Sequence, residues 1–326
     1  MNLSLPSIIF LAWSILWTGC STGREDGVPA RDVDSETTGP AQSVPEFDRQ
    51  RAFDDLLRIV SFGPRNPGSD GHRRGLNDLW TTLNRLADSV TIQPFTHRGY
   101  DGDILNLSNV IASFRPGVAT RILLCTHWDT RPRAERDPDP SRRDEPILGA
   151  NDGASGVAVL LEIARQLHEH PPPVGVDLAF FDGEDYGYEG DLPNYLLGSR
   201  YFASSKSPDY VPRFGILIDM IGDAELEIPK EGHSVSYAPD VIDLVWGKAR
   251  SLGFHQFSNR LGEPITDDHL PLNVVGIKTI DLIDFSYPDE SHRYWHTHSD
   301  TPDHCSSESL GVVGTVLLHV LYSQTP

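Results

Sequence analysis

Thr120-Arg121-Ile122-Leu123-Leu124-Cys125-Thr126 is a short, mostly apolar run that ends in His127-Trp128-Asp129. A run this brief and this apolar reads as a strand buried on both faces. Three further runs have the same character: Val176 to Phe181, Phe214 to Ile218 and Ile277 to Ile283. Each also leads into acidic residues, namely Glu184-Asp185, Asp219 and Asp284. Val90 to Phe95 and Asn109 to Phe114 add two strands upstream. Helical spacing of apolar residues fills the intervals. It appears at Phe53, Leu56, Leu57 and Val60, at Leu76, Leu79, Leu83 and Leu86, and at Val157, Leu160, Leu161 and Ala164. Val241 to Leu252 and Ser309 to Tyr322 complete the set. Strands alternating with helices predict an α/β fold, a three-layer sandwich in which a central mixed, mainly parallel sheet is flanked by helices.

Two loops stand out. Phe62 to Ser69 is dense in Gly, Pro and Asn and breaks the first pair of helices. Arg131 to Pro146 carries five Arg balanced by five acidic residues, and its composition predicts a solvated surface loop.

Composition narrows the class. Hydrophobic residues make up 38% and charged residues 23%, and six Trp, ten Tyr and thirteen Phe supply core material, so a disordered chain is excluded. A formal charge of −20 repels phosphate backbones, which argues against a nucleic-acid partner. No apolar run reaches the ~20 residues that a membrane-spanning helix requires.

The chain divides into a leader at 1–20, a linker at 21–45 and a catalytic domain at 46–326. Leu5 to Trp17 reads as the apolar region of an export signal. Gly19-Cys20 resembles the bacterial lipoprotein signal, although Trp17 stands where Leu is usual and no Lys or Arg precedes Arg24. That resemblance implies a cell-envelope protein anchored by a lipid on Cys20; without lipidation the protein would be periplasmic or secreted. Ser21 to Pro45 has the mixed polar composition of a tether. Cys125 and Cys305 read as two unpaired thiols.

The chemistry lies at the strand ends, where open α/β sheets bind ligands. His127 and Asp129, Glu184 and Asp185, Asp219 and Asp284 all follow buried strands. Gly149-Ala150-Asn151-Asp152 leads into a helix, and Tyr294-Trp295-His296-Thr297-His298-Ser299-Asp300 forms a late loop. Singly, Asp152 reads as a helix cap and His296 as core packing. Together they recur at one edge of one sheet, which such local explanations do not predict. Carboxylates and imidazoles without thiolates suit a catalytic zinc with an open position.

The ordered series Pro64-Arg65-Asn66-Pro67-Gly68-Ser69, His127-Trp128-Asp129, Gly149-Ala150-Asn151-Asp152, Phe180-Phe181-Asp182-Gly183-Glu184-Asp185, Gly198-Ser199-Arg200, Asp267-Asp268-His269 and Trp295-His296-Thr297 resembles glutaminyl-peptide cyclotransferases. These enzymes share the zinc exopeptidase fold, and the resemblance covers about Phe47 to Tyr322. It implies that Asp152, Asp185 and His296 hold one zinc and that Glu184 is the general acid/base. Asp185 is a departure, since the family usually has Glu there. Asp219 and Asp268 would correspond to acids that hydrogen-bond in the active site. Trp128 and Trp295, by their place beside the presumed ligands, read as walls of a small apolar pocket, with core packing as the alternative. His127 and Asp219 match the extra ligands of a second zinc in the related aminopeptidases. The cyclisation of N-terminal glutaminyl peptides is therefore the expected activity, with a two-zinc aminopeptidase as the alternative. A non-catalytic surface protein on the same fold is the remaining reading. The expected partners are peptides with a free N-terminus.

Overall fold

The computed structural model describes residues 43–326. The leader, Cys20 and most of the linker lie outside the described residues.

The chain opens with α1 (Arg49–Val60) and α2 (Asp70–Leu83), then β1 (Ser89–Arg98) and β2 (Ile104–Phe114). Asp48 and Ser69 cap the two helices by accepting hydrogen bonds from the amides of Arg51 and His72, and α2 ends before Leu86. There follow β3 (Arg121–His127), α3 (Ala154–Glu169), β4 (Gly175–Phe181), α4 (Leu197–Ser205) and β5 (Phe214–Asp219). The remaining elements are β6 (Ile228–Lys230), α5 (Gly232–Tyr237), α6 (Pro239–Ser251), β7 (Phe257–Leu261), α7 (His269–Val274), β8 (Thr279–Ile283) and α8 (Ser307–Tyr322).

Six strands form one sheet in the order β1-β2-β4-β3-β5-β8. From β4 to β8 all neighbours are parallel, whereas β2 joins β4 and β1 antiparallel. The sheet is therefore mixed and mainly parallel. Alternation along each strand fills both faces. In β3, Ile122 and Leu124 join the large core, while Leu123 and Cys125 face the smaller one on the other side. Helices α1, α2, α3, α6 and α8 pack over the first face, and α4 and α7 cover the second, which gives the three layers. Among the described residues no helix is long and apolar enough to cross a membrane. Cys125 and Cys305 are both free and buried.

Register brings the strand ends level. His127 pairs with Phe181, and Asp219 with Ile283, so the loops after β3, β4, β5 and β8 emerge along one rim. Helix α3 closes in on that rim. A side chain on Gly156 would collide with Thr126 in β3 and approach the carbonyl of Ile218 in β5 within 2.8 Å, so a glycine there is what lets the helix sit so near.

The loop after β3 departs from the sequence expectation. Arg131, Arg133, Ala134 and Asp137 are buried, and only the stretch from residue 138 to 145 is largely exposed. The charges of its first half are used internally. Arg131 reaches Asp185 and Tyr195, Arg133 donates to the carbonyls of Tyr186 and Gly187, and Asp137 binds the backbone and ring of His298.

Candidate active site

Asp152 precedes α3 without capping it. The cap position falls on Gly153, which has φ +97° and no side-chain cap bond, so the Asp152 carboxylate remains available to the rim. A side chain on Gly153 would lie 2.6 Å from the carbonyl of Asp129, which explains the glycine. His127 ends β3, Asp219 ends β5, and Glu184 and Asp185 occupy the turn after β4.

Two buried aspartates hold the turns that carry these residues. Asp129 accepts from the backbone amides of Glu184 and Asp185 at 3.1 and 3.3 Å. Asp300 does the same for Asn151 and Asp152 at 2.8 and 3.2 Å, and also accepts from the Tyr287 hydroxyl at 3.1 Å. Burial, and next the nearby Asp152 charge, push the Asp300 carboxyl up to about 7.

The rim residues converge into two overlapping groups. Asp152, Asp185 and His296 offer ligand atoms within 4.8 Å of one another, and so do His127, Asp152 and Asp219. In the first group His296 Nε2 lies 3.4 Å from Asp185 Oδ1 and 3.7 Å from Asp152 Oδ2. In the second, His127 Nε2 lies 3.0 Å from Asp219 and 3.2 Å from Asp152. His296 has φ +56°, a left-handed conformation that costs a non-glycine residue on the order of 1 kcal/mol. Its carbonyl accepts from the amide of Arg136, so the buried loop after β3 braces it.

Charge is distributed unevenly across the site. Burial raises the carboxyl of Asp185, but Arg131 and His296 outweigh it and hold the group well below the usual range. Glu184 moves the other way: burial, then the Asp185 charge, raise it well above an ordinary carboxylate. Asp219 is raised by burial despite the opposing His127.

Glu184, Asp185, Asp152, Asp219 and His296 line an open cavity of about 260 Å³, walled on its apolar side by Ile265, Phe285 and Trp295. Pockets for drug-sized ligands run to ~300–1,000 Å³, so this one suits a single residue. Trp295 lies tilted against His296 with ring centroids 3.8 Å apart, and the Arg136 guanidinium covers its ring at 4.4 Å.

Four sequence-level placements need correction. Trp128 is no wall of this cavity: it is 1% exposed, stacks on His72 and donates its indole N–H to the carbonyl of Ser108. Asp268 does not line the cavity itself, as Asp267 does, but accepts from Ser199 Oγ at 2.5 Å beside it, and its charge still acts on Glu184. Burial, and then the Asp219 charge, raise Asp267 to about 7. Asp284 turns away to bind the amides of Glu227 and Ser286. Asp129 is the clamp already described. His298 pairs with Asp137 and stays outside both ligand groups.

Several known proteins are similar to the chain over most of its length. The chain is 27% identical to a mouse glutaminyl-peptide cyclotransferase-like protein over 325 residues, covering 89% of this chain and 81% of the relative. Among solved structures, a Bacteroides thetaiotaomicron glutaminyl cyclase bound to N-acetylhistamine superposes with a TM-score of 0.83 at 41% identity, covering 87% of this chain and all of the other. A leucine aminopeptidase precursor from the same organism also matches with a TM-score of 0.83 at 41% identity, over 87% of this chain and 99% of the other. The profile of peptidase family M28 matches residues 109–321, from the second half of β2 nearly to the end of α8, and it is to this family that the chain belongs.

Proposed function

We propose that the protein is a zinc-dependent glutaminyl-peptide cyclotransferase, converting N-terminal glutaminyl peptides into pyroglutamyl peptides with release of ammonia. The observation that carries this reading is the asymmetry of the two ligand groups. His127 Nε2 hydrogen-bonds Asp219 at 3.0 Å, so the nitrogen that faces the second group already has a partner, although His127 Nδ1 is buried without one. His296 stands 3.4–3.7 Å from its carboxylates, beyond a good hydrogen bond, and Asp185 Oδ2 is buried with no hydrogen-bond partner. Two carboxylates and one neutral imidazole, from Asp152, Asp185 and His296, fit one zinc. The glutaminyl cyclases among the relatives point the same way.

When bound, zinc supplies Lewis acidity at the side-chain carbonyl of the substrate glutamine. The remaining work falls to the chain. The cavity places the α-amine against Cδ of the same residue, so ring closure gains from proximity. Glu184, poised by its raised proton affinity, accepts a proton from the attacking amine as the new N–Cδ bond forms. It returns that proton to the departing side-chain nitrogen as the old bond breaks, so ammonia leaves and the carboxylate is regenerated. Besides Asp185, the acids whose charges act on Glu184 are Asp267, at the cavity, and Asp268 beside it, and these two are placed to help hold the proton. Trp295 and Phe285 keep the closing ring in an apolar wall that limits water.

A second reading, the aminopeptidase with two zinc ions, is favoured by one observation: His127, Asp152 and Asp219 do form a further possible ligand set. A Gln-initiated peptide incubated with the zinc-loaded protein should lose ~17 Da, the mass of ammonia, with its peptide bonds intact. Release of free leucine from leucyl peptides, without that loss, would favour the aminopeptidase, and zinc per chain measured on the same sample gives the count. The same reading includes export and a lipid on Cys20, supported by the apolar stretch before Gly19-Cys20. Labelled fatty acid should enter the wild type and not Cys20→Ala; unprocessed protein in the cytosol would contradict it.

A further inference from the structure

The two oxygens of Asp185 are in different states. Oδ1 accepts from Arg131 Nη1 at 2.5 Å, whereas Oδ2 is buried with no hydrogen-bond partner. Arg131 is itself immobilised. Its side chain is fully buried, Nε donates to Glu135 at 2.7 Å, Nη2 binds Glu135 and the Tyr195 hydroxyl, and Nη1 also reaches the Asp185 carbonyl at 3.2 Å. A guanidinium with every side engaged acts as a fixed fork and cannot swing to serve Oδ2 as well.

Asp is one methylene shorter than Glu and has less freedom to present either oxygen. We propose that Arg131 is a positioning residue that holds Asp185 through Oδ1, the oxygen 3.4 Å from His296 Nε2, fixes how that carboxylate faces the metal, and thereby sets the affinity of the site for zinc. This rests on the zinc site described above, but not on which reaction that site performs. Removing a group that orients a metal ligand from behind typically costs ~10–100-fold in metal affinity.

The test compares Arg131→Met and Arg131→Lys with the wild type, using zinc titration against a chromophoric chelator and the visible spectrum of the cobalt-substituted protein. Arg131→Met should weaken zinc binding by ~10–100-fold, and Arg131→Lys by less, because it keeps the charge without the fork. Cobalt absorption should fall in Arg131→Met as the freed carboxylate binds through both oxygens and the coordination number rises. A purely structural role would move the melting temperature and leave both metal readouts alone. Should Arg131→Met fail to fold, Glu135→Gln loosens the same guanidinium from its far side and should weaken zinc binding by a few-fold. Wild-type affinity and spectrum in a folded Arg131→Met or, failing that, Glu135→Gln would overturn the proposal, as would a wild type that binds no zinc. A wild type that binds zinc tightly yet fails to cyclise peptides would reject the cyclotransferase instead and leave the role of Arg131 standing on the metal data.

Discussion

The two ligand groups share Asp152 and differ in what surrounds it. Asp152, Asp185 and His296 are all at most 6% exposed in their side chains, and Asp185 is backed by Arg131. In the other group Asp219 is the most open at 12%, and its imidazole partner His127 is already bonded to it. The same residue types at similar spacing thus make one arrangement whose imidazole stands off from its carboxylates and another whose imidazole is already bonded to one. Counting ligand-type residues does not distinguish these cases; tracing each polar atom to its partner does.

The largest effect expected on this contrast comes from the two histidines. His296→Ala should lower zinc affinity by ~100-fold or more, since losing a direct ligand must exceed the 10–100-fold cost of losing a supporting group. His127→Ala should keep one zinc per chain. Elemental analysis of both purified variants checks this, and equal metal loss in the two would erase the distinction between the groups. Next in size is Glu184→Gln, which keeps shape but accepts no proton. Turnover should fall by ~10²-fold or more while zinc content stays at the wild-type level. Metal loss along with activity would make Glu184 a ligand. Smallest in its effect on the reaction is the tryptophan pair. Trp295→Ala should lower kcat/KM by ~10-fold through the lost pocket wall. Trp128→Ala should leave the kinetics of the folded protein near normal and destabilise it by ~3–5 kcal/mol in urea unfolding. A kinetic defect confined to Trp128→Ala would mean that the cavity has been drawn on the wrong side of the sheet.

Much of the fold is legible in the sequence, because apolar runs such as Ile122 to Cys125 carry a local signal whose outcome the sheet simply repeats. The strand-end residues are legible for a related reason: a parallel sheet delivers them to one rim whatever the loops do. Reading fails where partners are remote. The loop from Arg131 to Asp137 looks solvated because its charges balance locally, yet Arg131 and Arg133 find their partners more than fifty residues downstream. Adjacent residues defeat it as well. Asp267 and Asp268 are chemically identical, and only the start of α7 decides which of them faces the cavity. Trp128 fails differently, since it follows a candidate ligand directly and yet points into the layer where His72 packs.

The excess of acid at the rim has a consequence for the life of the protein. Asp152, Asp185, Asp219, Asp267 and Glu184 crowd one cavity against two buried arginines, Arg65 and Arg131, and two imidazoles, so the metal-free chain folds against its own repulsion there. Any divalent cation bound only by the folded form stabilises it, by ~2.7 kcal/mol at a free concentration one hundred times the dissociation constant. For a domain of this size that is a shift of several degrees in the melting temperature, measurable on adding a chelator. Zinc scarcity would then shorten the protein's survival against proteases as well as slow its chemistry, and abundance in the cell would track the metal supply without any change in synthesis.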